Sequence, residues 1–507
     1  MVEEKIIQSS SEPQLVCPHC WVEFPISAIN YVSRHFDLLG DPVLGEDEQR
    51  RFVPTRFTAN GHALDARGLE CIDKACPRCH LVIPESFIDF PAMFFSIVGA
   101  PSSGKSYFLT SMTHRLRQVM PKRLDVLFDD ASPTINSVLN EYEERLFFNS
   151  DPEALVGLPK TELQGDSFSN HVRLDDMDME LPRPVVFLTR LAETHHRHFQ
   201  GGQIPNHNLV FYDNAGEHFQ PGRDSVVNPA TQHLRKSTGI IFVFDPTADK
   251  NMRPFCCSED PQLQGEGKVF PQQRLFREMV ERLRKYSRMT ASEKYPYPIV
   301  INVDKYDVWR SLLDFDLASV SPWFYDEAAM RWMIDGQNIM RVSYAVREIM
   351  LEFNPELVHA AESFCNKVYF IPTSALGGSP ELLAGGTGGT GGSGLGVRPG
   401  NVSPVWVEMP ALLLLEPNGY VHMHMNEDAA AGDIAPDGAQ LCSPENCKWV
   451  ENKIMLSVPG HDDRIIVPKM YCGAVVRHKA SGQWLNIPSM TEKAVVLEDD
   501  WDAFWDD

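Results

Sequence analysis

Residues 94–106 read Phe-Phe-Ser-Ile-Val-Gly-Ala-Pro-Ser-Ser-Gly-Lys-Ser, and no other stretch constrains the fold as strongly. The run 94–98 is apolar except for Ser96, the composition of a parallel strand buried on both faces. It leads directly into 99–106, which fits G-x-x-x-x-G-K-[ST], a phosphate-binding loop. Gly99 and Gly104 permit backbone conformations that a Cβ would forbid. Successive N–H groups can then turn inward as a nest for phosphate oxygens. Lys105 brings a point charge to the β- and γ-phosphates, and the Ser106 hydroxyl is placed to ligate Mg²⁺. Residues 105–120 read as the following helix, whose N-terminus adds to anion binding, with Pro121 as its stop. The nucleotide-binding set predicted from this stretch is Gly99, Ser102, Ser103, Gly104, Lys105, Ser106 and Tyr107.

A chain of 507 residues is long enough for two to four domains and a large core. Its net charge of −23 opposes general binding to nucleic acid or an acidic membrane, both of which need cationic surface. It has no apolar run of membrane-spanning length and no apolar leader region, so a cytoplasmic location without membrane association is expected. Eleven cysteines are too sparse for a disulfide scaffold in a chain of this length. Four of them form two C-P-x-C pairs, Cys17-Pro18-His19-Cys20 and Cys76-Pro77-Arg78-Cys79. Each pair can present two sulfurs to one tetrahedral Zn²⁺, and a closed four-thiolate site is structural rather than catalytic. The separation of the pairs exceeds that of a simple zinc ribbon, so a folded insertion is expected between them. Cys71, His19 and His80 are nearby spare ligands, and no thioredoxin-like pattern surrounds the pairs to favour redox chemistry.

In order along the chain, residues 1–14 are polar and predicted disordered, and 15–90 form the zinc-ribbon module with its insertion. Residues 91–415 form the main α/β domain. A short added strand is expected at 124–129 and an amphipathic helix at 133–148, with Ser132 as its cap. Strands are expected at 182–190, 208–213, 239–245, 299–303 and 368–371. Helices are expected at 271–287 and across about 322–365. The glycine-rich run 385–396 cannot pack and reads as a flexible loop. Residues 416–497 read as a small β-rich appendage, and 498–507 as an acidic-aromatic tail able to dock on a partner.

Four segments follow or end apolar strands: 99–106, Asp213-Asn214-Ala215-Gly216, Asp304-Lys305-Tyr306-Asp307 and Ser374-Ala375-Leu376. That arrangement predicts a doubly wound sheet with its ligand at the carboxyl ends of the strands. In these motifs the chain resembles the P-loop GTPases of the translation-factor-related, Ras-like class over about residues 94–415. The resemblance implies that Asp213 holds Mg²⁺ together with Ser106, and that Gly216 senses the γ-phosphate. It implies that Asp307 accepts from guanine N1–H and the 2-amino group while the Lys305 stem covers the ring. Ser374, Ala375 and Leu376 would meet guanine O6. Asp304 stands where the family has Asn or Thr. Glu217 stands where many members have a water-orienting Gln, which implies slow turnover. Thr161 is the chosen switch threonine and Mg²⁺ ligand, with Thr189 and Thr194 as alternatives. Arg190 and Arg197 are in-cis candidates for an arginine finger. The zinc ribbon, large inserts and tail also make the chain similar to bacterial double-GTPase proteins of conflict or defence systems.

Three functional classes emerge: a GTP-hydrolysing switch or assembly component, a nucleotide-binding scaffold that does not turn over, and a P-loop ATPase. The first places Lys105, Gly216 and Glu217 in catalysis. It implies GTP, Mg²⁺ and Zn²⁺ as ligands, and protein partners through the switch segments, the ribbon or the tail.

Overall fold

The computed structural model describes residues 12–158, 169–195, 206–213, 232–257, 259–263, 269–382, 395–425, 440–441, 447–450, 453–458, 460–461 and 464–487. Thr161, Gly216, Glu217, Arg197 and the tail 498–507 lie outside these residues. One compact unit draws on residues 1–97, 125–142 and 161–238, the other on 98–124, 143–160 and 239–507.

The large sheet has seven strands: β1 (Ala92–Gly99), β2 (Val126–Asp130), β3 (Val185–Leu191), β4 (His207–Asp213), β5 (Ser237–Phe244), β6 (Ile299–Val303) and β7 (Val368–Pro372). Their order is β2-β3-β4-β1-β5-β6-β7: after β1 the chain goes to the edge strand β2, returns inward through β3 to β4 beside β1, and then adds β5, β6 and β7 in turn on the other side. β1 is parallel to β4, and β5, β6 and β7 are mutually parallel; β3 runs antiparallel to β4 and β2 antiparallel to β3. The residue pattern explains the split. Ile240–Phe244 and Ile299–Val303 are buried throughout, as parallel strands covered on both faces must be. β2 alternates buried Val126 and Phe128 with exposed Leu127 and Asp129, the pattern of a one-sided edge strand.

Six helices are needed for the argument: α1 (Lys105–Arg123), α2 (Ser137–Phe147), α3 (Gln272–Ser287), α4 (Gly336–Phe353), α5 (Pro355–Phe364) and α6 (Met409–Leu415). α1 continues past Pro121, contrary to the sequence reading, and ends when Leu124 N–H donates to Met120 O at 3.0 Å. A proline in the last turn forfeits one hydrogen bond near an end that frays in any case. α2 starts at Ser137 rather than 133, after a turn. In that turn the buried Asn136 side chain bonds Asp130 and both backbone groups of Val186.

The expected helix across 322–365 is also corrected. Trp323–Asp326 and Arg331–Asp335 pair as an antiparallel hairpin before α4 begins. The first arm carries Trp323, Phe324 and Tyr325 and the second Trp332, aromatic residues that favour strands, and the Asp335 carboxylate then caps α4 by accepting from Asn338 N–H at 2.9 Å. Strands after residue 440 form two small three-stranded sheets. The segment around 471–473 packs on α4, where Gln337 Nε2 donates to Gly473 O at 2.8 Å and Ser343 Oγ lies 3.0 Å from Tyr471 OH. No helix among the described residues is long and apolar enough to cross a membrane.

Candidate functional site

Two centres carry recognisable chemistry. The first is built by two short hairpins of the same design. Gln14–Val16 pairs with Glu23–Pro25, and Lys74–Ala75 pairs with Val82–Ile83. In the first turn Cys17 N–H donates to Val22 O (3.0 Å), Trp21 N–H to Cys17 O (3.0 Å) and His19 N–H to Cys17 Sγ (3.3 Å). In the second, Cys76 N–H donates to Leu81 O (3.0 Å), His80 N–H to Cys76 O (3.1 Å) and Arg78 N–H to Cys76 Sγ (3.3 Å). Trp21 and His80 occupy the equivalent left-handed positions, at φ 58° and 60°.

The turns bring Cys17, Cys20, Cys76 and Cys79 together, all buried, with their sulfurs within 4.8 Å of one another. Cys17 Sγ lies 3.7 Å from Cys79 Sγ, and Cys20 Sγ 3.6 Å from Cys76 Sγ. A tetrahedral Zn²⁺ with sulfur bonds of about 2.3 Å spaces its sulfurs by about 3.8 Å, so the four thiols fit that ion. Burial pushes the Cys17 and Cys79 thiols up, whereas hydrogen bonds from the other three cysteines hold Cys20 down. The spare ligands are occupied elsewhere. His19 Nε2 is 2.9 Å from Val82 O, His80 Nδ1 is 2.8 Å from the Asp41 carboxylate, and the Cys71 thiol faces Leu69 O.

The residues between the pairs are a folded insertion. They add Asn30–Val32 and Arg51–Phe52 to the second hairpin and form two further hairpins. Two buried aspartates organise its turns. Asp41 accepts from Val43, Leu44 and Arg51 N–H, and Asp65 from Arg34, His35, Arg67 and Leu69 N–H. Burial opposes ionisation of both, but the His80 side chain and the backbone donors at Asp41, and the backbone donors at Asp65, outweigh it and hold the carboxyls below the usual range.

The second centre begins at the end of β1. A Cβ on Gly99 would stand 2.6 Å from Val243 O, so only glycine fits there. Gly104 caps α1 at φ 90° and Ser102 lies at φ 60°, the left-handed turns that an amide nest needs. Lys105 is buried, and its Nζ donates to Gly99 O (3.1 Å) and Ala100 O (2.7 Å). It is thus folded back over the loop it closes. Ser103 Oγ is buried, with no hydrogen-bond partner among the described residues. Ser106 and Tyr107 follow in the first turn of α1, and Tyr107 OH accepts from Leu158 N–H at 2.9 Å. These features fit a bound polyphosphate: a helix N-terminus, a cation and a cradle that excludes Cβ atoms.

The turns after β6 and β7 are stitched to each other and to this loop. Tyr306 N–H donates to Thr373 O (2.8 Å), Thr373 N–H to Val303 O (3.1 Å), and Ser111 Oγ on α1 to Ala375 O (2.7 Å). The Asp307 carboxylate accepts from Ser374 Oγ, which itself accepts from Gly377 N–H at 2.8 Å. Burial raises Asp307, against the pull of that hydroxyl. Asp304 is 2% exposed. Its Oδ1 is 3.0 Å from Thr373 Oγ1, and its Oδ2 would be 3.2 Å from a Cβ on Gly104. Burial pushes its carboxyl up to about 7, despite the Lys305 and Thr373 donors beside it.

Lys305 takes a left-handed φ of 57°, and Nζ is held by Asp245 Oδ2 (2.6 Å), Thr247 Oγ1 (3.0 Å) and Gln262 Oε1 (2.7 Å). Sequence reasoning missed those three anchors, although Asp245 at the end of an apolar strand was a visible signal. The buried Gln272 side chain in turn fixes Asp245 through both of its backbone groups, at 2.8 Å each.

Asp213 ends β4 and pairs in register with Ile97 of β1, two residues before Gly99. The alternatives Thr189 and Arg190 lie at the other end of β4. Thr189 pairs with His207, its hydroxyl 3.0 Å from His207 O, and Arg190 bonds Asp129 at 2.9 Å. Neither is therefore placed as a switch threonine or arginine finger beside Asp213. Thr194 sits in the turn after β3.

No family model and no curated protein matches the chain. Among solved structures it is similar to one described as a signal recognition particle receptor SRb-GTP/SRX complex from Chaetomium thermophilum. The identity is 12%, the match covers 57% of this chain and 93% of that one, and the TM-score is 0.22.

Proposed function

We propose that this protein binds GTP with Mg²⁺ at the loop 99–106 and hydrolyses it slowly, as a switch or assembly component that also carries a structural Zn²⁺. The observation that carries the reading is the convergence of the Asp304–Asp307 and Thr373–Leu376 turns on the phosphate loop, with Asp304 against Gly104. A phosphate cradle alone fits any nucleoside triphosphate; a half-buried carboxylate held by Ser374 beside it supports selection of a base with paired donors.

In this reading the inward amides and Lys105 hold the β- and γ-phosphates, and Ser106 offers its hydroxyl to Mg²⁺. Lys105 leaves the Gly99 and Ala100 carbonyls for the phosphates. Mg²⁺ would neutralise charge that develops on the transferred phosphoryl group. Asp213 is assigned to that ion from its place at the carboxyl end of β4, and Thr161 as its switch partner. Gly216 would meet the γ-phosphate and Glu217 orient the attacking water. Asp307 accepts from guanine N1–H and the 2-amino group. Lys305 lays its stem along the base while Asp245, Thr247 and Gln262 hold its ammonium.

Adenine offers Asp307 no matching donors, and an unsatisfied buried acceptor costs about 1–3 kcal/mol. GTP should therefore bind at least about tenfold more tightly than ATP. Asp307→Asn should shift preference toward xanthosine triphosphate, whose 2-oxo group accepts where guanine donates. Competition binding of GTP, ATP and XTP to both proteins tests this. Equal wild-type affinity for GTP and ATP would replace the reading with an ATPase, and unchanged preference in the variant would remove Asp307 from the base site.

A further inference from the structure

The thiolate centre does not end at its own four cysteines. Pro18 and Trp21, both in the first metal-binding turn, grip Tyr212 of β4. Trp21 Nε1 donates to Tyr212 OH at 3.0 Å, and Tyr212 OH donates to Pro18 O at 2.6 Å. Tyr212 is fully buried, and its hydroxyl both accepts from Trp21 and donates to Pro18. Its ring stacks on His233 at 4.6 Å and meets Trp21 edge-on at 6.2 Å. His233 Nδ1 lies 2.6 Å from Ser96 Oγ on β1, and Ser96 also bonds Ser237 at the start of β5. Lys236, in the turn that carries His233, pairs with Glu23 of the cysteine hairpin. Cys17, Cys20, Cys76 and Cys79 share one apolar cluster with Phe94, Val186, Val210 and Tyr212.

We propose that Tyr212 is a positioning residue that couples the Zn²⁺ centre to the carboxyl end of β4, so that metal occupancy sets the placement of Asp213. The physical link is short. Asp213 is the next residue along the chain, and its backbone direction is set by the Tyr212–Ser96 and Asp213–Ile97 register pairs. The turn that offers Pro18 O and Trp21 Nε1 is held by its own hydrogen bonds and by the approach of Cys17 and Cys20 to the other two thiols, and a common ion would tighten that second hold. Without the ion, the two buried hydrogen bonds at Tyr212 OH and the edge-on contact of Trp21 lose part of their frame. The consequence for Mg²⁺ rests on the nucleotide reading given above; the coupling itself does not.

Hydrogen exchange on the full chain tests the coupling. Stripping Zn²⁺ with a chelator should speed amide exchange at 209–213 and 233–237 by at least about fivefold, the loss of one or more net hydrogen bonds. β6 should change little. Tyr212→Phe, which keeps the ring and loses only the hydroxyl, should retain one Zn²⁺ and show the same acceleration at 209–213 with the metal still bound. Unchanged exchange at 209–213 on chelation, or in the zinc-loaded variant, would overturn the proposal. A second arm uses GTP as the probe. The Mg²⁺ concentration for half-maximal binding should rise at least about threefold in zinc-loaded Tyr212→Phe, with affinity in Mg²⁺-free, chelator-free buffer unchanged. An unchanged Mg²⁺ requirement would overturn the consequence for Asp213. Absence of GTP binding in wild type would overturn the nucleotide reading and leave the exchange result standing.

Discussion

On the proposed nucleotide reading, Asp304 should make binding pH-dependent, with a sign that follows from its burial. Its carboxyl is buried, packed on Gly104 of the phosphate loop and pushed up to about 7. The charged and titratable groups around it are Lys305 and Asp307 of its own turn, with Asp245 paired to Lys305, while Thr373 faces it from the β7 turn and Lys105 follows Gly104. Below pH 7 the group is neutral; above it, a buried anion lies beside the site of an anionic ligand. Two unit charges about 10 Å apart at an effective dielectric of about 20 repel by about 1.7 kcal/mol, a little over one pKa unit. Bound nucleotide should therefore lift the carboxyl to about 8 or higher, and the complex should take up a proton near pH 7. Worked through those two values, GTP affinity falls roughly fivefold between pH 6 and 8. The assay is calorimetric titration in buffers of different ionisation enthalpy, on wild type and Asp304→Asn. The variant is permanently neutral, so it should bind about equally across this range apart from the nucleotide's own titration. Folding provides a second sign. A carboxyl raised in the folded state contributes stability that is full below its unfolded value near 4 and lost as pH rises toward 7. Asp304→Asn should thus raise the melting temperature at pH 8 and not at pH 4. Identical pH profiles for wild type and variant would refute the reasoning.

Lys105→Ala should abolish triphosphate binding while circular dichroism and zinc content stay unchanged, since Lys105 belongs to the phosphate loop and the four clustered thiols do not. Retained affinity would exclude the phosphate loop. Metal analysis should find one Zn²⁺ per chain and none after Cys76→Ser with Cys79→Ser, which leaves two of four ligands. Zinc retention in that variant would exclude the centre. Gly99→Ala should destabilise the protein by about 1–3 kcal/mol in chemical denaturation, because the new methyl meets backbone at Val243 O that cannot swing aside. An unchanged midpoint would mean that β1 and β5 separate more readily than their packing implies.

The local elements of both centres were legible in the sequence because each is written in contiguous residues. The strand, loop and helix of 94–120, the two C-P-x-C turns and the strand 299–303 depend on glycine freedom, thiolate spacing and unbroken apolar runs. All of these act within a few residues. The hairpin of 323–335 departs from the helical expectation because its strand-favouring aromatic residues form strands only by pairing across the turn, a contact between residues that helical spacing along the chain does not record. Three features came only from tertiary structure. Lys305 is fixed by Asp245, Thr247 and Gln262, which stand 60, 58 and 43 residues away. Asp304 acquires its raised carboxyl from burial in the packed loop, against the pull of the Lys305 and Thr373 donors, a property of the packing and not of the residue. Tyr212 reads in sequence as one more apolar strand residue. Only the fold brings Pro18 and Trp21 to its hydroxyl, across 194 and 191 residues. A buried donor or acceptor must find a partner, but the sequence carries no local record of which distant group will supply it.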